Sequence, residues 1–254
     1  MTAPTAQRST GIGLVHGWAM HGGLFDDLCA AWPDPDWYRL DLPGHGRRRD
    51  RAWPGPIDEL LDAVLEGLPE GAWLAGWSLG GLIAMQAALR EPQRFAGLVL
   101  IAATPSLVRR PHWPHAVEPA MLQAMALELA EHPDAVIQRF LALEMHGAVH
   151  AKSDLKRLRE RALEHGRPSR AALLAGLQHL AATDLSARLG ELDLPVAVIG
   201  GRRDRLVPWA ALEAMAERLP RAEVIRIPGA AHAPFLTDPT AVASAMRRWM
   251  SSHE

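Results

Sequence analysis

The chain has 254 residues, which is long enough for one large α/β domain or for such a domain with an insertion. Its 27 basic and 29 acidic residues nearly cancel, so neither nucleic acid nor an anionic membrane is expected as a partner. Cys29 is the only cysteine, which excludes an intrachain disulfide, and no run approaches the ~18 apolar residues of a membrane span. We therefore expect a soluble cytoplasmic protein, acting as a monomer.

Short apolar runs alternate with amphipathic stretches along the chain. The runs are too short for helices, and they cover residues 11–17, 37–42, 72–77, 97–103, 195–201 and 222–228. The amphipathic stretches cover residues 57–68, 79–90, 208–219 and 239–250. Such alternation predicts an α/β protein with a mostly parallel central sheet and helices on both of its faces.

One long interval breaks this alternation. Residues 105–190 contain no convincing strand, and helical patterns recur there near 118–131, 133–146, 151–165 and 169–181. A separate helical domain is disfavoured because strands resume afterwards. We predict a core formed by residues 1–104 and 191–254, with residues 105–190 inserted between two strands as a helical cap, or lid.

A serine flanked by glycines lies at the junction of a predicted strand and a predicted helix. The segment Gly76-Trp77-Ser78-Leu79-Gly80 is a G-x-S-x-G pattern in the strand–turn–helix context that this pattern requires. Small neighbours allow so sharp a turn to approach adjacent strands. A serine that merely caps the helix would explain the hydroxyl but not the glycines. Ser78 is therefore the predicted nucleophile.

A serine nucleophile needs a histidine base that is oriented by a carboxylate. Asp204 follows a predicted strand at its carboxyl end, and His232 lies in the loop after the last predicted strand. Their order along the chain, serine then acid then histidine, is the one expected for this pattern. Asp184 and Asp193 are weaker candidates for the acid, because Asp184 ends the insertion and Asp193 precedes its strand.

The other histidines allow alternatives. His16 and His45 lie in loops, where each could simply make a local hydrogen bond. A zinc site is disfavoured because no nearby carboxylate cluster completes the histidines of "HWPH" at 112–115 or "HGAVH" at 146–150. No phosphate-binding glycine loop is present either. We expect neither a metal nor a cofactor.

Hydrolysis by a serine also needs two hydrogen-bond donors for the oxyanion of the tetrahedral intermediate. The backbone amide of Leu79, directly after the nucleophile, is the first predicted donor. The second should come from the loop after the first strand, "VHGWAMHGG", where Gly17 gives the backbone room and the amide of Trp18 is the predicted donor.

Several motifs in order resemble one family of α/β-hydrolases. "HGW", "DLPGHGR", "GWSLGG", "RFLALEMHG" and "AAHAPF" match the BioH family, the pimeloyl-[acyl-carrier protein] methyl ester esterases of biotin synthesis. The resemblance runs from about residue 11 to the C-terminus. It implies an α/β-hydrolase fold, a triad of Ser78, Asp204 and His232, and an acyl carrier protein bearing the substrate.

The resemblance also implies an acyl-chain site under the cap. The residues that it places there are Phe140, Leu141, Ala142, Leu143 and Glu144. Family members often carry glutamine at the last of these positions, so the glutamate is a departure from the pattern. A general carboxylesterase, a carbon–carbon bond hydrolase and a non-catalytic binding protein remain alternatives on the same fold.

Acyl carrier proteins are acidic, so a docking surface should be basic. Residues 151–170 hold seven basic positions on a predicted helix and its flanks. The candidate docking residues are Arg139, Lys152, Lys156, Arg157 and Arg159. The alternative is an ordinary solvated helix face in a protein rich in arginine.

Overall fold

The structure of the protein, a computed structural model, describes residues 11–253. Six strands form a single sheet in which every neighbouring pair is parallel. They are β1 Gly11–Val15, β2 Asp36–Leu40, β3 Ala72–Trp77, β4 Phe95–Ile101, β5 Val196–Gly200 and β6 Ala222–Arg226. Each of these overlaps one of the predicted runs, and the predicted parallel sheet is confirmed.

The strand order is β2-β1-β3-β4-β5-β6. From β1 the chain adds β2 on one side and β3 to β6 on the other, so the order of the strands reverses between β1 and β3. Val15 pairs with Gly76 in the register between these two strands, so both end at the same level. In open parallel sheets the crevice for ligands lies outside the carboxyl ends of the strands at such a reversal. The loops that follow β1 and β3 therefore meet where a binding site is expected.

Burial explains why most strands are continuous apolar runs rather than alternating ones. All residues of β1, β3 and β5 are buried, and in β4 only Ala96 is partly exposed. These strands are covered by helices on both faces, which leaves no side for polar residues. The edge strands β2 and β6 keep partly exposed residues, and charged residues interrupt their apolar runs in the sequence.

Six helices belong to the alternating part of the chain. They are α1 Asp26–Ala31, α2 Ile57–Leu65, α3 Leu79–Arg90, α8 Trp209–Ala216, α9 Pro234–Thr237 and α10 Pro239–Ser251. The predictions missed α1 and α9, because helices of six and four residues are too short to show a helical period. Within the described residues, no helix is long and apolar enough to cross a membrane.

The interval between β4 and β5 is helical. It contains α4 Pro119–Leu129, α5 Pro133–Glu144, α6 Ala151–Arg161 and α7 Arg170–Ala182. Pro119 and Pro133 each occupy a first helical position, where the missing amide proton has no acceptor to lose. The only β-structure described in this interval is two isolated bridges, one of which joins Val108 and Val117. The exact boundaries of the cap stay a prediction.

Candidate active site

The turn at Ser78 is strained and tightly packed. Its backbone has φ 54° and ψ −116°, a conformation that residues other than glycine rarely adopt. A Cβ on Gly76 would lie 2.3 Å from the carbonyl oxygen of Gly80, and one on Gly80 would lie 2.1 Å from that of Val15. Only glycine fits at either position. The two glycines thus allow β3 to turn sharply into α3 with the serine at the apex.

The structure brings Ser78, His232 and Asp204 together in one hydrogen-bonded line. Nε2 of His232 lies 2.9 Å from Oγ of Ser78, and Nδ1 lies 2.7 Å from Oδ2 of Asp204. With Nδ1–H donating to the carboxylate, Nε2 is left to accept the serine proton. All three side chains are buried. Among the described residues, the only imidazole within hydrogen-bonding distance of Ser78 is that of His232.

Backbone groups fix the carboxylate and the imidazole in this line. The second carboxylate oxygen of Asp204 accepts the amide protons of Leu206 and Val207 at 2.8 and 3.0 Å. The amide of His232 donates to the carbonyl of Glu144 at 3.1 Å, so the cap contacts the catalytic loop directly. The indole Nε1–H of Trp77 donates to the carbonyl of His232 at 2.8 Å. No local sequence pattern indicates the last two contacts, because they join segments far apart in the chain.

The loop after β1 is held by a buried histidine rather than by a catalytic one. His16 accepts the amide proton of Leu42 at 3.0 Å through Nε2, and its Nδ1–H donates to the carbonyl of Gly17 at 2.8 Å. Burial, followed by the neighbouring His45, lowers the pKa of His16 to about 3, so it stays neutral. Burial also lowers the pKa of His45 to about 4. Both therefore serve as neutral hydrogen-bonding groups, His16 in the loop after β1 and His45 in the loop after β2.

The two predicted oxyanion donors belong to the start of α3 and to the loop after β1. Leu79 begins α3, and the amide of a first helical residue has no acceptor within its own helix. The fully buried indole of Trp18 donates from Nε1 to the carbonyl of Leu173 at 2.8 Å, which anchors the loop to α7. Their oxyanion roles stay predictions.

Backbone strain is concentrated around this site. In the described chain, the three non-glycine residues with positive φ are Ala19, Ser78 and Ala102, at 63°, 54° and 45°. They follow β1, β3 and β4, at the carboxyl edge of the sheet. Such strain persists where surrounding structure enforces it, and it clusters at functional sites. Ala19 and Ala102 carry no polar group, so sequence motifs could not have found them.

The free space beside Ser78 is small and apolar. A chamber of about 10 Å³ lies there, about the space of one water molecule. Its walls are Leu82, Ala102, Ala103, Thr104, Leu107, Leu180 and Val207 together with the serine. Within the described residues, no cluster of three or more His, Cys, Asp or Glu side chains could hold a metal ion.

The predicted acyl-chain residues occupy the second half of α5. Phe140 packs edge-on against Trp18 with ring centroids 5.0 Å apart. Leu141 is buried in the core, whereas Ala142 and Leu143 are half-buried. None of these residues lines the chamber beside Ser78. Their contact with an acyl chain therefore stays a prediction.

Glu144, the departure from the family pattern, is fully buried. Neither of its carboxylate oxygens has a hydrogen-bond partner among the described residues. Burial, followed by the nearby negative charge of Asp204, raises the pKa of Glu144 well above its ordinary value of 4.5. The side chain is thus held as a neutral carboxylic acid, which resembles the amide of glutamine in shape and polarity.

Replacing Glu144 with glutamine should stabilise the protein relative to the wild type, and this advantage should grow as the pH rises. Above pH 4.5 the unfolded chain releases the Glu144 proton while the folded chain keeps it, so the free energy of unfolding falls with increasing pH. One proton's difference is worth about 1.4 kcal/mol per pH unit. Glu144→Gln removes this loss, so its Tm advantage over wild type should grow between pH 5 and 7 by about 2–4 °C per kcal/mol. Thermal unfolding across this range, with exposed Glu70→Gln as control, measures it; a pH-independent difference would contradict a protonated Glu144.

The basic residues of the predicted docking surface do not all face solvent. Lys152, Lys156 and Arg159 are exposed at a helical spacing of four and three residues, so they share one face of α6. Arg157 points the other way, towards Asp154 at 3.2 Å and the carbonyl of Leu236.

Arg139 lies on α5 rather than α6. Its Nη1 donates to Oε1 of Glu128 at 2.7 Å, and its Nη2 contacts the other oxygen of the same carboxylate. Of the five candidates, the three exposed residues on α6 form a shared surface.

The parallel sheet, the strained serine turn and the Ser–His–Asp line are those of the α/β hydrolases as a class. A family model described as alpha/beta hydrolase fold matches residues 12–239. Curated relatives named pimeloyl-[acyl-carrier protein] methyl ester esterase match from Stenotrophomonas maltophilia, at 42% identity over 96% of this chain and 94% of the relative, and from Xylella fastidiosa, at 41% over 94% of each. The chain belongs to this esterase family, within the α/β hydrolases.

Solved structures agree on the fold. An esterase from Exiguobacterium antarcticum superposes with a TM-score of 0.84 at 16% identity, covering 95% of this chain and 92% of that one. An esterase from a Rhodococcus species superposes with a TM-score of 0.76 at 26% identity, covering 97% and 92%. The family membership and the fold together identify a carboxylic ester hydrolase.

Proposed function

We propose that this protein hydrolyses the methyl ester of pimeloyl-acyl carrier protein through an acyl-enzyme on Ser78. The observation that carries the proposal is the buried line from Oγ of Ser78 through His232 to Asp204. The substrate comes from the name of the relatives that share about two-fifths of its residues. In this proposal the enzyme is a cytoplasmic monomer, and its reaction is a step in the biosynthesis of biotin.

The reaction divides into two halves that use the same proton acceptor. Nε2 of His232 takes the proton of Ser78 as its Oγ attacks the ester carbonyl, and Asp204 stabilises the imidazolium that forms. The imidazolium then gives its proton to the departing methoxide, which leaves as methanol. Water next attacks the acyl-enzyme, losing a proton to His232, and the proton returns to Ser78 as the free carboxylate forms.

The negative charge of each tetrahedral intermediate needs donors that are already in place. The amides of Leu79 and Trp18 are the proposed pair, and the N-terminus of α3 adds its dipole beside the serine. His16 supports the second donor by bonding the loop residue Gly17. Because these groups are buried and fixed, little reorganisation is required when charge develops.

The carrier docks, in this proposal, on the exposed basic face of α6 formed by Lys152, Lys156 and Arg159. Arg157 is left out because its guanidinium is engaged with Asp154 and the carbonyl of Leu236. Attraction between this face and an acidic carrier would raise the rate of encounter, and added salt would screen it. A small ester would not depend on this face.

The test compares a carrier-bound methyl ester with a short aryl ester. We expect kcat/KM to favour the carrier-bound ester, and the double charge reversal Lys152→Glu/Lys156→Glu to lower that value about 10-fold or more without changing the aryl ester rate. Arg247→Glu/Arg248→Glu, an exposed pair on α10, is the matched control. A preference for the aryl ester would indicate a general carboxylesterase. No turnover of either ester would indicate a carbon–carbon bond hydrolase or a binding protein.

A further inference from the structure

The chamber beside Ser78 is built from one side of the sheet. Residues 102–104 of its wall directly follow β4, and Val207 lies in the loop after β5. In the sheet, β3 lies between β1 and β4, so these segments are across β3 from the loop after β1, which carries Trp18. The carbonyl oxygen of a substrate belongs with the oxyanion donors on the β1 side. The chamber on the β4 and β5 side is therefore left for another part of the ester.

The side chains that move the proton belong to the same side as the chamber. Asp204 follows β5, and His232 follows β6. The amide of Val207, a chamber residue, donates to Oδ1 of Asp204 at 3.0 Å, while Oδ2 lies 2.7 Å from Nδ1 of His232. The oxygen that leaves the ester must receive its proton from Nε2 of this histidine. We therefore expect the alcohol part of the ester on the chamber side.

The chamber suits a methyl group in both size and polarity. Its volume of about 10 Å³ is about the space of one water molecule, to which a methyl group is close in size and which a longer alkyl chain exceeds. Apart from Ser78, the polar side chain among the described residues of the wall is Thr104. Its hydroxyl donates to the carbonyl of Ser106 at 3.3 Å and accepts the indole proton of Trp113 at 3.1 Å. An apolar group in the chamber therefore leaves this hydroxyl satisfied.

Close packing fixes the size of the chamber. A Cβ on Gly81 would lie 2.3 Å from Cβ of Ala103, so α3 is seated directly against this part of the wall. The side chains of Leu107, Leu180 and Val207 are buried. Protein interiors have little spare volume, so one more methylene forces the surrounding side chains out of their preferred positions. The chamber therefore limits the size of the group that it receives.

We propose that the chamber beside Ser78 receives the alcohol part of the ester, and that Leu107, Leu180 and Val207 restrict this part to a methoxy group. The inference rests on the proposed function and adds to it the residues that select the alcohol. A seven-carbon acyl chain lies outside the chamber, because it cannot fit in a space of about 10 Å³.

A small alcohol chamber also decides which end of the proposed substrate is cleaved. A methyl ester that is joined to a carrier has two acyl bonds, one to the methoxy group and one to the carrier. Cleavage of the second bond would place the carrier attachment in the chamber, where it does not fit. The serine therefore attacks the methyl end, and the acid that forms stays attached to its carrier.

The same space serves the second half of the reaction. Once methanol has left, the attacking water takes its place beside Nε2 of His232, which accepts the proton of the water. A chamber of about 10 Å³ admits one such molecule. An added alcohol can replace the water: its oxygen bonds to the acyl carbon, its proton passes to His232, and the bond from that carbon to Ser78 breaks. The chamber should then select among added alcohols as it selects among esters.

Enlarging the chamber tests the proposal on a series of free hexanoate esters. Leu180→Ala removes an isopropyl group from the wall, and Leu177→Ala, a buried leucine of the same helix outside the lining, is the matched control. From the methyl to the propyl ester, the wild type should lose about 10-fold or more in kcat/KM. Leu180→Ala should raise the propyl-to-methyl ratio about 10-fold or more, and Leu177→Ala should not change it. Equal rates for all alcohols in the wild type, or an unaltered ratio in Leu180→Ala, would overturn the proposal.

A second variant from another segment keeps the test decisive if Leu180→Ala folds poorly. Val207→Ala shortens the wall after β5 and keeps the backbone amide that binds Asp204. It should raise the ethyl-to-methyl ratio of kcat/KM about 10-fold, and Val198→Ala, a buried valine of β5 outside the lining, should not. Each ratio compares two esters on one enzyme, so a loss of folded protein lowers both rates equally and cancels.

Competition between added alcohols tests the chamber from the side of the acyl-enzyme. During hydrolysis of methyl hexanoate, isotopically labelled methanol and propanol are added at equal concentrations, and the new esters are measured by mass spectrometry. The wild type should form the labelled methyl ester about 10-fold or more faster than the propyl ester. Leu180→Ala should bring the two initial rates close together. Equal transfer to both alcohols by the wild type would overturn the proposal.

Varying the acyl part distinguishes an alcohol chamber from an acyl-chain site. With methanol kept as the alcohol, Leu180→Ala should change kcat/KM for acetate, hexanoate and octanoate esters by one common factor. A gain confined to the longer acyl chains would place acyl carbon atoms in the chamber and overturn the proposal.

The free esters keep these tests separate from the proposed function. An enzyme that shows the expected alcohol pattern on free esters but rejects the carrier-bound methyl ester would retain the chamber and lose the proposed carrier substrate. Equal turnover of carrier-bound methyl and propyl esters would retain a carrier-bound substrate and reject the chamber.

Discussion

Replacing Ser78 with alanine is expected to lower kcat for ester hydrolysis by a factor on the order of 10⁴–10⁶. The substitution removes the atom that forms the acyl-enzyme and leaves the oxyanion donors in place. Only water positioned by the remaining site could then attack, so a residual rate above the uncatalysed reaction should persist. Because His232 is the single hydrogen-bond partner of Ser78 Oγ within residues 11–253, the fold should be little affected.

A labelling experiment separates the loss of the nucleophile from a loss of folding. A fluorophosphonate probe reacts with an activated serine, so it should label the wild type and fail to label Ser78→Ala. Ser186→Ala is the matched control, since Ser186 is also buried and lies outside the line of Ser78, His232 and Asp204. It should keep both turnover and labelling. Turnover by Ser78→Ala near the wild-type rate would rule out the acyl-enzyme.

Local chemistry made part of this site predictable. The glycines around Ser78 are required by clashes within the turn and with the neighbouring β1, and both causes leave a short pattern in the sequence. Asp204 and His232 could be selected because parallel strands gather the loops at their carboxyl ends on one edge of the sheet. The order of the predicted strands therefore indicates that two residues 154 positions apart in the chain lie at one edge of the sheet.

Contacts between surfaces far apart in the chain could not be predicted in the same way. The bonds that fix the backbone of His232 come from Trp77 on β3 and from Glu144 on the cap, and neither leaves a local pattern. Helical spacing does divide Arg157 from Lys156 and Arg159, but a buried carboxylate, Asp154, decides which arginine turns inward. Such outcomes depend on how the helices pack, and packing is determined by many residues of distant segments acting together.

Replacing Asp204 with asparagine is expected to lower kcat by about 10⁴-fold while leaving KM and the fold nearly unchanged. The carbonyl oxygen of asparagine can still accept the amides of Leu206 and Val207, which the Oδ1 atom of the carboxylate binds now. The amide nitrogen would then face Nδ1 of His232, where the wild type has the acceptor Oδ2. A donor in that position favours the tautomer with its proton on Nε2, which cannot accept the proton of Ser78.

Three measurements distinguish this loss of orientation from general damage. The Tm of Asp204→Asn should remain close to that of the wild type, and its rate of fluorophosphonate labelling should fall with kcat, because both need a basic Nε2. Asp193→Asn, which changes an acid just before β5 at the opposite end of the sheet, should alter neither. If Asp204→Asn kept more than about a tenth of the wild-type kcat, the carboxylate would not orient His232. The acid of the triad would then have to be sought elsewhere, first at Asp184.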